Sequence, residues 1–291
     1  MSRITTVAAV QTRFSADMED NIAKAASFIV EAADLGAQIV LLPELFQGLY
    51  FCTHQDEKWY SSAYPAETHP CVTELRKVAK DKGVVLPVSI FEKAGPEYYN
   101  SVVMVDDAGE IMGVYRKTHI PDGPGYQEKY YFKPGNTGFK VWSTRFGNIG
   151  VGICWDQWFP EAARAMTLKG ADFLFYPTAI GSEPYDDTLD TSAIWQRAMQ
   201  GHAVANAIPV IAANRIGTEN ANGQDQSFYG SSFIAGQNGE LMQSFGHDEE
   251  GVIAQGFDLD AMHKYRAVWG FFRDRRPEMY GEVTRLFDDS V

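Results

Sequence analysis

The sequence contains very few cysteines. Cys52, Cys71 and Cys154 are the only three in 291 residues, and no spacing between them repeats. A disulfide framework and a structural zinc site both need more cysteines at regular spacings, so the sequence argues against either one. We therefore expect reduced thiols, as in a cytoplasmic protein.

Long apolar runs are also missing from the chain. The amino terminus, MSRITTVAAVQ, enters a strand-like pattern without the apolar region of a signal peptide. No segment is long and apolar enough to span a bilayer. The sequence thus predicts an intracellular, cytoplasmic protein without a membrane partner.

Basic residues are outnumbered by acidic ones. Lys and Arg total 25 against 38 Asp and Glu, which gives a formal net charge of -13. A surface of this sign repels phosphate backbones and anionic lipids, which argues against nucleic acid and membranes as partners. It attracts a cationic small molecule, although acidity in cytosolic proteins usually serves solubility alone.

No flexible linker, low-complexity segment or internal repeat divides the chain, and 45% of its residues are hydrophobic. Periodicity predicts a first helix ending at Gly36, further helices over 71–82, 160–170 and 189–206, and strands over 4–10, 37–43, 84–91, 101–106, 110–115, 149–154, 173–179, 209–214, 231–235 and 252–257. This alternation predicts a single layered α/β domain over 1–291, with its core at about 4–260. Periodicity alone does not decide between three and four layers.

Three residues of complementary chemistry stand where predicted strands end. Glu44 follows a buried strand, Lys117 opens a loop rich in Gly and Pro, and Cys154 lies at a turn from a strand into a helix. Taken singly, they are usually a rim carboxylate, a surface lysine and a structural cysteine. Together they supply a base, a cation for an oxyanion and a thiol nucleophile, and ligand sites in α/β sheets favour these strand ends.

The segments around these residues resemble the signature motifs of the nitrilase (carbon–nitrogen hydrolase) superfamily. LLPELF surrounds Glu44, YRKTHIP surrounds Lys117 and GVGICWDQWFPEAAR surrounds Cys154, in the family's order. The resemblance covers roughly residues 4–260 and implies a four-layer αββα sandwich that pairs into a homo-oligomer. It also implies that Glu128 is a second acid beside the nucleophile, and the segment from about 263 to 291 is then an oligomerisation tail.

Three further strings, IGSEPYDD, SFYGSSFIAG and WGFFRDRRPEMY, resemble a subgroup that hydrolyses ureido-alkylammonium compounds. The ammonium end of such a substrate needs a carboxylate at the far end of the pocket, and Glu183 and Asp187 are candidates. Asp186 and Asp187 are equally placed to cap the helix that follows, which is the better interpretation for that pair. Tyr50 and Trp155 are further candidates for substrate contacts.

The family resemblance implies a covalent mechanism without a metal or organic cofactor. Glu44 takes the proton of Cys154, while Lys117 and the backbone N–H of Trp155 hold the oxyanion. Ureido acids and ω-amides are also possible substrates, and these anionic compounds would need an arginine near Glu183. The residues also allow a Cys–His enzyme, a metal amidohydrolase or a non-catalytic binding protein, although no histidine has the context of a base and no metal-ligand spacing occurs.

Overall fold

The computed structural model describes residues 2–186, 188–221 and 223–287. It contains five α-helices: α1 (Met18–Asp34), α2 (Pro70–Lys82), α3 (Pro160–Leu168), α4 (Ser192–Asn206) and α5 (Leu259–Trp269). Its strands are β1 (Ile4–Gln11), β2 (Ile39–Leu41), β3 (Leu86–Ala94), β4 (Glu97–Val105), β5 (Ile111–Arg116), β6 (Val141–Thr144), β7 (Gly147–Val151), β8 (Phe173–Pro177), β9 (Val210–Ala213), β10 (Ile216–Asn220), β11 (Asp225–Tyr229), β12 (Phe233–Ala235), β13 (Leu241–Ser244) and β14 (Gly251–Asp258).

Twelve of the fourteen described strands form two facing sheets. The first has the order β14-β1-β2 and continues through β3-β4-β5, because a parallel bridge between Ile39 and Val85 joins β2 to the start of β3. The second sheet has the order β13-β12-β9-β8-β7-β6, and its strands β7, β8 and β9 are parallel. Strands β10 and β11 form a separate antiparallel hairpin.

Alternation along the strands explains why both sheets are covered on two faces. Val7 and Ala9 of β1 point into the core between the sheets, whereas Ala8 and Val10 face α1 and α2. In the second sheet Phe175 points inward, whereas Tyr176 packs on the side of α3 and α4. The architecture is therefore the predicted αββα sandwich, with helices outside and sheets inside.

Most predicted elements are present, with shifted ends. The structure adds α5, where the sequence showed no clear element, the strands β6 and β13, and the β10–β11 hairpin. Only Leu259 and Met262 of α5 are buried, so its apolar stripe is weak, but Asp258 accepts hydrogen bonds from its first turn and Gly270 ends it. Among the described residues, no helix has both the length and the apolar character to cross a membrane.

The packing of α1 on the first sheet gives a stability prediction. Ile29 of α1 is fully buried in the core that α1 and α2 form with the first sheet. Ile29→Ala should therefore lower the free energy of unfolding by about 2–5 kcal/mol. Glu31→Ala, on the exposed side of the same helix, should change it by less than about 0.5 kcal/mol. Urea unfolding would measure both values, and equal losses for the two variants would contradict this packing.

Candidate active site

Glu44 lies three residues beyond the end of β2 and is completely buried. Its Oε1 accepts hydrogen bonds from Lys117 Nζ at 2.8 Å and from Asn100 Nδ2 at 2.7 Å. Its Oε2 is also buried but has no hydrogen-bond partner among the described residues. One oxygen therefore holds the carboxylate in place, while the other is available to accept a proton.

Lys117 immediately follows β5, and its ammonium lies between two carboxylates. Nζ is 2.8 Å from Glu44 Oε1 and 2.7 Å from Glu128 Oε2, and all three side chains are buried. Burial by itself lowers the pKa of Lys117, but the charges of Glu128 and Glu44 outweigh it and raise the pKa well above its usual value. The lysine is therefore a permanent cation in this site.

Glu128 begins a short 3₁₀-helix, Glu128–Tyr130, in the loop that follows Lys117. Burial raises the pKa of Glu128 to about 6, with Lys117 opposing the rise and Glu44 adding to it. The Tyr50 hydroxyl donates to Glu128 Oε1 at 2.9 Å and stabilises the ionised form. The cluster thus combines two carboxylates with one ammonium and has an excess negative charge when both acids are ionised.

Cys154 begins a 3₁₀-helix, Cys154–Trp158, three residues beyond the end of β7 at Val151, where the sequence predicted that the strand would continue to the cysteine. Its φ of 39° lies in the left-handed region, which a residue with a Cβ rarely adopts. Asp156 holds this turn, because its Oδ2 accepts from Ile153 N at 2.9 Å and from the Tyr115 hydroxyl at 2.7 Å. The sharp turn brings the thiol to the surface of a pocket.

The thiol of Cys154 is not intrinsically acidic. Burial raises its pKa well above the usual value, the charge of Glu44 raises it further, and Lys117 lowers it only in part. The thiol is therefore protonated at neutral pH and needs a base before it can act as a nucleophile. Among the neighbouring charges, that of Glu44 has the largest effect on the pKa of this thiol. Glu44 also has an oxygen, Oε2, without a hydrogen-bond partner in the described chain.

A cavity of about 370 Å³ lies over Cys154. Its walls come from the loop after β5, the turn at Cys154 and the loop after β8, and its described lining is Pro121, Asp122, Gly123, Pro124, Tyr126, Glu128, Cys154, Trp155, Trp158, Ala179, Ile180, Glu183, Tyr185 and Thr191. This lining contains aromatic rings and three carboxylates, and no Lys, Arg or His is among its described residues. Most of the residues that line the pocket are apolar or aromatic, and its charged lining residues are all acidic.

The structure brings most of the predicted site residues together. Glu44, Lys117 and Glu128 form one hydrogen-bonded cluster, Cys154 interacts with it electrostatically, and Trp155 and Glu183 line the cavity. Within the described residues, no group of three or more His, Cys, Asp or Glu side chains is arranged to hold a metal ion.

Two of the predicted roles need correction. Tyr50 does not line the pocket, because it is fully buried behind Glu128. Asp186 neither lines the pocket nor caps α4, since its Oδ1 accepts from the N–H and hydroxyl of Thr188, while Asp190 accepts from Ser192 N. Asp187, the other candidate in this loop, lies outside the described residues.

Several residues of the site carry no motif in the sequence. Asn100 and Arg215 contact Glu44, and Asp122 and Tyr126 line the cavity. Arg215 lies just beyond the end of β9, so the rule that singled out Glu44 and Cys154 at strand ends applies to it equally. Asn100 and Ser101 precede the apolar run 102–105 of β4 and are both buried, and a buried polar residue in a strand signals a specific partner.

Comparisons of the sequence and of the structure with known proteins identify the same family. The sequence profile described as "Carbon-nitrogen hydrolase" matches residues 6–267. The chain is 54% identical to the N-carbamoylputrescine amidase of Solanum lycopersicum over 98% of this chain and 96% of that protein. It is 50% identical to the citrullinase of Francisella tularensis, over 97% of this chain and 98% of that protein. The crystal structure of a carbon-nitrogen hydrolase from Helicobacter pylori G27 superposes with a TM-score of 0.92 at 35% identity, covering 98% and 100% of the two chains.

The accessibility of the three thiols gives a prediction about reactivity. Cys52 and Cys71 are completely buried, whereas Cys154 lines the cavity, so iodoacetamide should label Cys154 at least about tenfold faster. Because the pKa of Cys154 is raised, labelling should accelerate as the pH rises. Mass spectrometry of the native protein would identify the site, with Cys71→Ala as a control that keeps the label. Preferential labelling of Cys52 or Cys71 would contradict the prediction.

Proposed function

Because the chain belongs to the carbon–nitrogen hydrolase family, we propose that it hydrolyses N-carbamoylputrescine to putrescine, carbon dioxide and ammonia. Its family and its relatives identify it as a hydrolase of linear amide C–N bonds. The substrate, the residue roles and the covalent intermediate are the proposal.

The charge of the pocket is the observation that carries this choice of substrate. Asp122 and Glu183 line the cavity in addition to Glu128 and have no described ion pair with Lys117, and the described lining offers no cationic side chain. N-carbamoylputrescine has a neutral ureido group at one end and an ammonium at the other, joined by an apolar chain. This distribution matches a cavity with a thiol in its floor, aromatic walls and carboxylates in its lining.

Substrates with a carboxylate tail fit the same cavity less well. Ureido acids and ω-amides carry a carboxylate that would face Asp122 and Glu183 without a described cation to pair with it. Citrulline carries an ammonium that these acids could pair with, but its carboxylate on the same carbon would still lack a described cation. One relative at 50% identity is named a citrullinase, so the two substrates have to be compared directly on this protein.

In the first half of the proposed reaction, Cys154 Sγ attacks the ureido carbonyl carbon as Glu44 takes the thiol proton. The negative oxygen that forms is stabilised by the ammonium of Lys117 and the N–H of Trp155, at the start of the 3₁₀-helix. The C–N bond to the terminal nitrogen then breaks, and Glu44 returns the proton to the departing ammonia. A carbamoyl thioester remains on Cys154.

In the second half, water replaces ammonia in the site. Glu44 takes a proton from this water as the water oxygen attacks the thioester carbon. The C–S bond then breaks, and Glu44 returns the proton to the sulfur of Cys154. The released N-alkylcarbamic acid loses carbon dioxide and leaves the amine. Glu128 keeps Lys117 in position throughout, so that Glu44 is free to exchange protons.

Putrescine as a product would place the enzyme in polyamine biosynthesis. The substrate is the ureido derivative that a deiminase forms from agmatine, with water replacing the imine nitrogen as ammonia, so such an enzyme would have to precede this one. We propose that the reaction takes place in the cytoplasm, in line with the reduced thiols expected from the sequence.

The proposed pairing of Glu183 with the substrate ammonium can be tested by removing one charge. Glu183→Gln keeps the shape of the side chain and should lower kcat/KM for N-carbamoylputrescine by about tenfold, roughly 1.4 kcal/mol. The expected loss is moderate because Glu183 is only half-buried, and solvent screens its charge. Turnover of neutral N-butylurea should change by less than about twofold. Ammonia release measures both rates.

Asp186→Asn provides a matched control, because Asp186 lies in the same loop but outside the described lining of the cavity. It should leave the ratio of the two rates unchanged. Equal losses of both substrates in Glu183→Gln would move the cation site to another acid, with Asp122 next. A parent enzyme that preferred citrulline to N-carbamoylputrescine would reject the proposed substrate.

We also propose that the protein is a homo-oligomer. Val268, Trp269, Met279, Val283 and Phe287 of the C-terminal segment are all more than half exposed. A cavity of about 860 Å³ separates this segment from α3 and α4, so a large apolar surface remains uncovered in the single chain. Light scattering at micromolar concentration should give at least the mass of a dimer, and a mass near 32.4 kDa would reject the proposal.

A further inference from the structure

Arg215 is a completely buried cation next to the catalytic cluster. Its Nε and Nη2 donate to the carbonyl of Glu44 at 3.1 and 2.9 Å, Nη2 also donates to the carbonyl of Leu45, and Nη1 donates to the carbonyl of Gly48 at 2.9 Å. A guanidinium has five N–H donors in a fixed plane, and here they converge on one turn of the backbone. Arg215 therefore determines the path of the chain that carries Glu44.

This turn needs such support because its conformation is unfavourable. Leu45 has a φ of 49°, in the left-handed region that branched side chains avoid. The carbonyls of the turn point into the protein, where an unpaired carbonyl is costly. Arg215 supplies partners for three of these carbonyls at once, so it keeps both the turn and Glu44 in place.

The charge of Arg215 is balanced by Glu219 of β10. Nη1 lies 2.9 and 3.2 Å from the two carboxylate oxygens of Glu219, and both side chains are buried. Glu219 Oε2 in turn accepts from the backbone N–H of Tyr50 at 2.6 Å. The hairpin β10–β11 thereby fixes the backbone of Tyr50 as well as the guanidinium.

Tyr50 completes a continuous path to the other side of Lys117. Its hydroxyl donates to Glu128 Oε1, while Glu128 Oε2 contacts Lys117. Its ring packs against Tyr126 and Phe228, with ring centroids 5.9 and 5.7 Å away. The Arg215–Glu219 pair thus reaches Glu44 through backbone carbonyls and Glu128 through Tyr50.

We propose that Tyr50, held by the Arg215–Glu219 pair, is a positioning residue that keeps Glu128 ionised and directed at Lys117 during turnover. Tyr50 does not line the cavity, and it acts only through Glu128. The inference rests on the proposed function to the extent that Lys117 must be held while Glu44 moves protons.

The proposal has a consequence for pH dependence. The titratable groups facing Glu128 are Lys117, Tyr50, Glu44, Cys52 and Cys154. Among them, Lys117 and Tyr50 lower the pKa of Glu128, which burial raises to about 6. Removing the Tyr50 hydroxyl should therefore raise this pKa further. If turnover needs ionised Glu128, kcat/KM is lost as the pH falls through the pKa, and the loss should begin at a higher pH.

Tyr50→Phe tests this expectation, because it removes one hydroxyl and retains the packed ring. The acid limb of kcat/KM for N-butylurea should move up by about one pH unit, which is a loss of about fivefold at pH 6 and little loss on the alkaline plateau. Tyr176→Phe is the matched control, since the buried hydroxyl of Tyr176 has no hydrogen-bond partner in the described chain. Its profile should coincide with that of the parent.

Glu219→Gln provides a second variant that acts on Tyr50 from the backbone side. It retains the shape of the side chain but removes the charge that holds Arg215, so the acid limb should move in the same direction by a smaller amount. If both variants lowered the alkaline plateau of kcat/KM without moving its acid limb, the role of these residues would be structural alone and the proposal would be overturned. An equal shift in Tyr176→Phe would also overturn it.

A measurement without substrate separates this inference from the proposed function. Infrared difference spectra recorded during a pH titration detect protonation of a buried carboxyl, and Glu128→Gln identifies its band. In Tyr50→Phe the midpoint of that band should rise by about one pH unit, even if N-carbamoylputrescine is not the substrate. An unchanged midpoint would overturn the positioning role, whereas a preference for another amide would reject only the substrate.

Discussion

The burial of the Lys117 ammonium between two carboxylates is the constraint on which the rest of the site depends. A buried charge is tolerated only when partners surround it, and here two acids share one cation. The acids then repel each other and need support of their own. Asn100 holds Glu44 from β4, and Tyr50 holds Glu128 from the turn after β2. Each polar residue added to the core therefore requires another, until Arg215 and Glu219 close the network.

This network also explains where the nucleophile has to be. Thiolate formation at Cys154 is opposed by burial and by two nearby carboxylates and favoured by one lysine, so the resting thiol is neutral. The thiol lies 3.9 Å from the carbonyl oxygen of Ala179, and Glu44 acts on it through its charge. A neutral thiol is a weak nucleophile, so Cys154 can react only after a nearby group accepts its proton. The left-handed φ of Cys154 is maintained by the hydrogen bonds of Asp156. The strained backbone conformation therefore occurs at Cys154, the residue that carries the thiol.

The periodicity of the sequence was sufficient to predict a layered α/β fold, and the resemblance of its motifs to a known family added the four-layer sandwich. The same motifs pointed to Glu44, Lys117 and Cys154, which the structure places close to strand ends. Near-continuous apolar runs mark strands buried on two faces, and the motifs stand at or just beyond their ends. The sequence was insufficient for the β10–β11 hairpin, whose exposed positions are polar and whose buried positions include Glu219 and Gln226. These buried polar residues have partners far away in sequence, and no periodicity predicts such partners. Tyr50 was assigned to the substrate for the same reason, since proximity in sequence to Glu44 does not reveal which way a side chain points.

In the proposed reaction, chemistry and selectivity belong to different parts of the site. The acids and the lysine that would perform the chemistry are completely buried, where small displacements are resisted by close packing. Glu44 and Lys117 follow strands of the first sheet, and Glu128 lies in a 3₁₀-helix and forms an ion pair with Lys117. Asp122 and Glu183, the carboxylates proposed for selectivity, lie on loops that line the cavity. Loops accept substitutions that a packed core does not. A change of charge on these loops can therefore alter the preferred tail without disturbing the buried network. Such a change would allow proteins that each share about half of their residues with this chain to be named an N-carbamoylputrescine amidase in one case and a citrullinase in the other.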